Sequence, residues 1–511
     1  MDNLKEYAIR GGFAKLIGQG TGLFIRVGSL AVLARLLNPS DFGIVAMVTV
    51  VTSFFDILSS AGLSWAMIQS ATITDQQRTK LFWISIAFGA VFGLICVAAA
   101  PVLATFYHEP RLLAVTPAFA ANFLLSAAGA QHSALLERQL RYVTVTGIEF
   151  TAQLVNAAVS ILLALAGYGY WALVLAMIAQ SFSLTLAYWM ATGWVPGWPQ
   201  RNVPIAPLIK FGATVTLNNF LVFLAYNAEK ILIGRFWGAS ALGVYGRAYQ
   251  LINIPTASIN AALAGVALSS LSRLQDDPQR QRRYFLKGYF LLMSLTVPLT
   301  LFCALFGDDI ILVVLGPKWV EAAPVFRLLT PTVLIFGIIN PLAPLLLSSG
   351  LQRRSLHLAM VIMPIVVCAV ALGIPYGPTG VAFAFSAAMA LWLVPHVIWC
   401  LHGTAVSPSD LVVAARKPFL ASLLAAGPAF AAHHLLLGLE WPIIRLALSG
   451  AALAAVYFGV LLSLLGEWKA YLELLGGFRK LTYSTPLAAT SIVRLEADRR
   501  PQERLGIRSS T

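Results

Sequence analysis

Arg26, Asp56, Glu149, Glu229, Lys230 and Arg247 all stand inside long apolar runs of this sequence. A charge buried in hydrocarbon is costly unless it meets a partner or a wet cavity, so these residues mark where chemistry is to be sought. Arg26 and Arg247 are the candidates for a cavity that attracts an anion, because the planar guanidinium fork matches phosphate oxygens. Lys230 adds a third cation beside Glu229. The amides of Asn218, Asn219, Asn227, Asn253 and Asn260 and the phenols of Tyr226, Tyr245 and Tyr249 cluster in the same half. Such groups suit sugar hydroxyls or, equally, hydrogen bonds between helices. Asp56, Glu149 and Glu229 are read either as ion-coupling carboxylates or as members of structural pairs, Arg26 with Asp56 and Lys230 with Glu229. On the structural alternative these charges only hold the bundle together.

Covalent chemistry has little support. The sequence holds no HExxH, GxSxG or Walker lysine motif, so the protein is read as a non-enzyme without cofactor or metal. Asp308 and Asp309 read as an ordinary solvated loop. His433 and His434 are adjacent on a helix, where the two imidazoles point apart, which is poor metal geometry. Cys96, Cys303, Cys368 and Cys400 fall in apolar runs and read as small buried hydrophobes.

The elements that position these residues follow from composition. Of 511 residues, 59% are hydrophobic and 11% charged, whereas soluble chains carry charge on about a quarter of their residues. The chain is therefore read as an integral membrane protein. Fourteen apolar runs can be marked between about residues 15 and 465, each long enough to cross roughly 30 Å of hydrocarbon. Met1–Lys15 does not resemble a cleavable signal, so the first run is expected to remain as a span. The formal charge of +14 is spread over short connections on alternate sides of the runs. That pattern is a topology signal and argues against nucleic acid as a partner. With the N-terminus inside, 18 of the 35 Lys and Arg fall on the N-terminal segment and the even-numbered connections, which places both termini in the cytoplasm. The basic stretch Ser272–Lys287 belongs to that side.

A short repeat divides the chain. Ala34–Ile44 reads ARLLNPSDFGI and Gly234–Val244 reads GRFWGASALGV, so that Arg, Ser and Gly recur at 35, 40 and 43 and at 235, 240 and 243. The separation by an even number of spans predicts parallel repeats, two halves related by an axis along the membrane normal. The expected organisation is an N-terminal lobe over 1–193, a cytoplasmic Trp- and Pro-rich linker over 194–207 and a C-terminal lobe over 208–402. Two additional spans follow over 403–465, then an amphipathic segment and flexible tail over 466–511.

The runs GSLAVLARLLNPSDFGIVAM, DILSSAGLSWAMIQ, YGRAYQLINIPTASINAALAGVALSSLSRLQDD and LGPKWVEAAPVFRLL resemble the polysaccharide exporters and lipid-linked oligosaccharide flippases of bacterial envelopes. The likeness covers roughly residues 5–440 and lies nearest the colanic-acid type. The larger group also contains multidrug and toxin extruders. The resemblance implies an all-α, polytopic bundle of 14 spans: two six-helix lobes in a V plus two C-terminal helices. It implies translocation of an undecaprenyl-pyrophosphate-linked oligosaccharide across the bacterial inner membrane by alternating access, for exopolysaccharide or lipopolysaccharide synthesis. A polysaccharide polymerase and co-polymerase and membrane lipid are the implied partners, and a proton or sodium gradient is left open as the driving force. The alternatives are an ion-coupled exporter of drug-like or lipid cations and a non-transporting scaffold of a polysaccharide assembly complex. An acid-lined cavity would favour the former.

Overall fold

The structure is a computed structural model and describes residues 20–59, 64, 67, 73–199, 223, 227–272, 277–466 and 468. Among these, all regular structure is helical. Residues 20–36 form α1, followed by α2 (Pro39–Ser59), α3 (Asp75–Tyr107), α4 (Leu112–Arg138), α5 (Tyr142–Leu165) and α6 (Tyr170–Thr192). The second half holds α7 (Ala228–Ser272), α8 (Pro278–Leu305), α9 (Gly307–Val314), α10 (Ala322–Leu329), α11 (Pro331–Ile339), α12 (Leu342–Ser348), α13 (Gln352–Gly373) and α14 (Gly377–Leu401). Then come α15 (Pro408–Leu435) and α16 (Pro442–Gly459). Nine segments among the described residues are long and apolar enough to cross a membrane. The all-helical, polytopic expectation therefore holds.

Helix starts follow local chemistry. Thr74 caps α3 reciprocally with Gln77, and Ser407 caps α15 with Asp410, so that two otherwise orphaned N–H groups are satisfied at each start. Pro39 opens α2 where its missing N–H costs nothing, and Asp41 reaches back to accept from the Asn38 N–H at 2.9 Å. Helix α7 is two antiparallel arms joined at Gly238, whose φ of 78° and ψ of −173° lie in a region reserved for glycine. The crossing from Ala322 to Ser348 breaks at Pro331 and Pro341, where the ladder lacks a donor.

The connections fall at two ends. The turns at residues 37–38, 108–111, Gly238, 315–321 and 436–441 share one end, called here the turn end. The connections at 139–141, 193–199, 349–351 and 402–407 share the other, the linker end. At the linker end the first part of the linker is fastened to the first half. Trp198 stacks on Trp83 (5.8 Å, interplanar 5°), Trp83 Nε1 donates to the Gly197 carbonyl at 2.8 Å, and the Arg78 guanidinium lies 4.2 Å from the Trp194 ring. Residues 200–207 of the linker and the amphipathic segment and tail beyond 468 lie outside the described residues.

The two added helices are clamped to the second half. Arg445 of α16 holds the buried Asp309 carboxylate of α9 with Nε at 2.7 Å, His433 Nδ1 donates or accepts with Ser449 Oγ at 3.2 Å, and the Tyr457 hydroxyl donates to the Ser294 carbonyl at 2.8 Å. The expectation that Asp309 is a solvated loop residue is corrected: it is 5% exposed, since α9 tucks under α16. Cys96, Cys303 and Cys400 are buried, but Cys368 is exposed. An apolar run facing lipid exposes its small residues as readily as its large ones.

Candidate functional site

The two repeat turns meet each other at the turn end. A Cβ on Gly43 would stand 1.7 Å from the Ala239 carbonyl oxygen, and one on Gly243 would stand 1.9 Å from the Pro39 carbonyl oxygen. The contact is reciprocal: residue 43 sits against 239 and residue 243 against 39, with the same offset in numbering. Only glycine at both positions lets α2 and the second arm of α7 approach backbone to backbone.

On the linker side of this contact lies a cavity of about 190 Å³. One wall is a single face of α2, given by Phe42, Ala46, Thr49, Val50 and Ser53 at helical spacing. The opposite wall is α7 and the chain before it, given by Phe223, Asn227, Lys230, Leu242, Gly243, Gly246 and Arg247. Gly238 turns the chain, so the arm bearing Lys230 and the arm bearing Arg247 run side by side and bring both cations to one depth. Each lies eight or nine residues from that turn, or ~13 Å of helix rise.

Both cations are held in place. The Arg247 guanidinium lies over the Phe42 ring at 4.2 Å and donates to Gln250 Oε1. Lys230 Nζ donates to Asn227 Oδ1 at 2.7 Å and stands 5.1 Å from the Tyr249 ring, and Tyr249 stacks in turn on Tyr245 at 6.3 Å. Among the described lining residues there are two cations and no carboxylate. A unit negative charge 4 Å from one such cation gains about 4 kcal/mol at an effective dielectric of about 20, against about 1 kcal/mol in bulk water. The hydroxyls of Thr49 and Ser53 leave the cavity able to take polar groups as well.

The expected site residues therefore separate. Asn227, Lys230 and Arg247 come together in the cavity wall, with Tyr249 directly behind Lys230. Arg26 is exposed on α1, beside Gly22 and Gln153, and is not among the lining residues. Glu149 is exposed on α5. Glu229 is wholly buried, and neither carboxylate oxygen has a hydrogen-bond partner. The Asp56 side chain and Asn218 lie outside the described residues. Sequence reasoning missed the α2 wall, Phe42, Thr49 and Ser53. Their 3.6-residue spacing is present in the sequence but has the same form as ordinary core packing.

Residues 32–324, more than half of the chain, match the family described as "Polysaccharide biosynthesis protein". The chain belongs to this family. It is 26% identical to the teichuronic acid biosynthesis protein TuaB of Bacillus subtilis (strain 168), with 88% of this chain and 94% of that one covered. It is 25% identical to the lipopolysaccharide biosynthesis protein WzxC of Escherichia coli (strain K12), with 68% and 71% covered. Among solved structures the lipid II flippase MurJ, in an inward closed conformation, shares the fold at a TM-score of 0.69 and 10% identity, covering 88% of this chain and 99% of that one. Members of this family with this architecture are multi-pass membrane proteins of polysaccharide biosynthesis, and the fold is that of flippases and exporters. The cavity at the contact between the two repeats is placed where such an architecture has its axis.

Proposed function

We propose that this protein translocates an undecaprenyl-pyrophosphate-linked oligosaccharide repeat unit across the bacterial inner membrane, with both termini in the cytoplasm and the turn end facing the periplasm. The observation that carries the reading is the sign of the cavity: Lys230 and Arg247 on its wall, with no described carboxylate among the lining residues. Two fixed cations in a partly dry setting suit a pyrophosphate, and Arg247 supplies a planar fork for its oxygens. An exporter of cations would need the opposite charge. Family membership and the names of the relatives, which act in the synthesis of teichuronic acid and lipopolysaccharide, support a saccharide as the cargo. The orientation rests on the distribution of Lys and Arg, which favours the linker end as the inner side.

The glycine contact holds the two halves together at the turn end, so the path of the cargo toward that side is shut in this state. Translocation requires the contact to open while the cavity holds the charged head group. The reading is tested by measuring lipid-linked saccharide reaching the outer leaflet per folded molecule. Arg247→Gln and Lys230→Gln should each lower that rate at near-normal protein abundance, and Arg247→Lys should restore part of it, since charge returns without the bidentate fork. A normal rate in the double variant Lys230→Gln, Arg247→Gln would remove the cavity from the transport path.

A further inference from the structure

Glu229 is the one wholly buried glutamate among the described residues. It stands in the first turn of α7, nine residues before Gly238 and so ~13 Å of helix rise below the turn end. Neither of its oxygens has a hydrogen-bond partner. The hydroxyl of Tyr245, also wholly buried and on the other arm of α7 at comparable depth, is equally unpartnered. A carboxylate without a partner is not tolerated in such a setting. Ionised and isolated in a low-dielectric interior it would cost far more than a fold can supply, and the group takes up a proton instead. Even as a neutral acid it forgoes its hydrogen bonds, at about 1–3 kcal/mol for an unsatisfied buried group. Glu229 therefore contributes nothing to holding the bundle together in this state, and the property that distinguishes it from a glutamine is that it titrates.

Its surroundings say what that titration would change. The next residue is Lys230, whose ammonium is turned to the cavity and tethered only by Asn227 and the Tyr249 ring. Across the Gly238 turn stand Tyr245 and, behind it, Tyr249. Arg247 is occupied by Phe42 and Gln250. From α2 the cavity receives only uncharged residues, and on α10 Arg327 is taken by Asp308 at the turn end. Lys230 is thus the cation available to an ionised Glu229.

We propose that Glu229 is a proton-binding group that sets the charge of the cavity: protonated, it leaves Lys230 free for an anion, and ionised, it draws Lys230 into an ion pair and weakens the anion site. This rests on the reading of the cavity as an anion site. Because binding free energies are reciprocal, an anion in the cavity must in turn tighten the hold of Glu229 on its proton. The charge of the site is then coupled to the movement of the halves, since opening the glycine contact lets water reach the Glu229 arm and lowers the penalty on its ionised form.

Two measurements on the purified full-length protein test this. Inorganic pyrophosphate is titrated over a range of pH against wild type and Glu229→Gln, its own protonation being common to both. Wild-type affinity should fall as pH rises through the titration of Glu229, relative to Glu229→Gln, which keeps the low-pH behaviour throughout. Coincident profiles would overturn the proposal. Pyrophosphate that binds neither protein at any pH would overturn the reading of the cavity and, with it, the coupling to Lys230. Infrared spectra of wild-type protein with glutamate-selective 13C labelling provide a readout that needs no variant. A labelled carboxylic-acid C=O band at neutral pH is expected, shifting or vanishing when pyrophosphate is removed at high pH, and its absence at neutral pH would refute the protonated state.

Discussion

At residues 43 and 243 the two halves of the chain do the same thing, and at residues 35 and 235 they do not. Each glycine lies against the backbone of the other half, Gly43 on Ala239 and Gly243 on Pro39. The two arginines also reach across, but to different chemistry. Arg35 donates to the carbonyls of Val313 and Val314 at 2.7 and 3.0 Å, where α9 ends, and the chain beside it is further held by Trp319 Nε1 donating to the Ala34 carbonyl at 2.8 Å. Arg235 instead donates to His108 Nδ1 at 2.7 Å and lies 5.6 Å from the Phe106 ring. The glycine contact is a matter of volume, and a repeat cannot change it on one side without changing the distance between the halves. An arginine needs only acceptors within reach, and either helix-end carbonyls or an imidazole will serve. Symmetry has been kept where geometry forbids drift and lost where chemistry permits it.

The largest effect is expected from breaking the shared part. Gly43→Val or Gly243→Val inserts a branched side chain where even a Cβ would overlap a carbonyl oxygen. Overpacking of this kind costs about 1–3 kcal/mol or more when the backbone has to move. The two substitutions should act alike, holding the turn end apart. Pulsed electron-spin distances between labels at Tyr168 and Glu321 should lengthen in both, and translocation per folded molecule should fall steeply. If only one of the pair lengthens the distance, the contact is not reciprocal in solution.

This division also explains what was legible before the structure. The recurrence of Arg, Ser and Gly at 35, 40 and 43 and at 235, 240 and 243 marked the two turns, and the structure brings those turns together. Asn227, Lys230 and Arg247 could be found because polar and charged residues are conspicuous in apolar runs. Arg26 was equally conspicuous, yet it is exposed, although it shares a helical stripe with the buried Leu30, Leu33 and Leu37. A stripe gives the face of a helix but not the depth at which neighbours part, and Arg26 lies one turn closer to the linker end. Phe42, Thr49 and Ser53 carried no charge and so no signal apart from packing. The burial of Glu229 without a partner could not be read either, since an adjacent Lys230 suggests a pair that the helix turns in different directions.

A middle-sized effect is expected from Arg35. Arg35→Ala removes two hydrogen bonds that a charged donor makes to the end of α9 and a third to the Ala31 carbonyl at 2.7 Å. A cation at a helix C-terminus also gains from the helix dipole. The residue is exposed, so water takes up part of the loss, and about 1–2 kcal/mol of contact energy is the expected change. The same spin-label pair should show a second, longer distance population rather than a complete shift. Arg35→Lys should recover little of it, because a single ammonium does not span two adjacent carbonyls in the way a fork does.

The smallest effect belongs to the other arginine and is best measured as a coupling. Arg235 and His108 form one bond between an exposed guanidinium and a ring nitrogen, with Phe106 and Phe236 flanking the cation at 5.6 and 5.8 Å. Single substitutions would mix this bond with the aromatic contacts, so the separation needs Arg235→Ala, His108→Ala and the double variant. A coupling of about 0.5–1 kcal/mol is expected for the bond itself, near the low end for a hydrogen bond that water can replace. Arg235→Ala alone should cost slightly more than the coupling, because the ring contacts are lost with it. The distance population between Tyr168 and Glu321 should move less than in Arg35→Ala. A coupling as large as the whole Arg35→Ala effect would show that the imidazole replaces the two carbonyls at full strength, and the two turns would then be energetic equals despite their different partners.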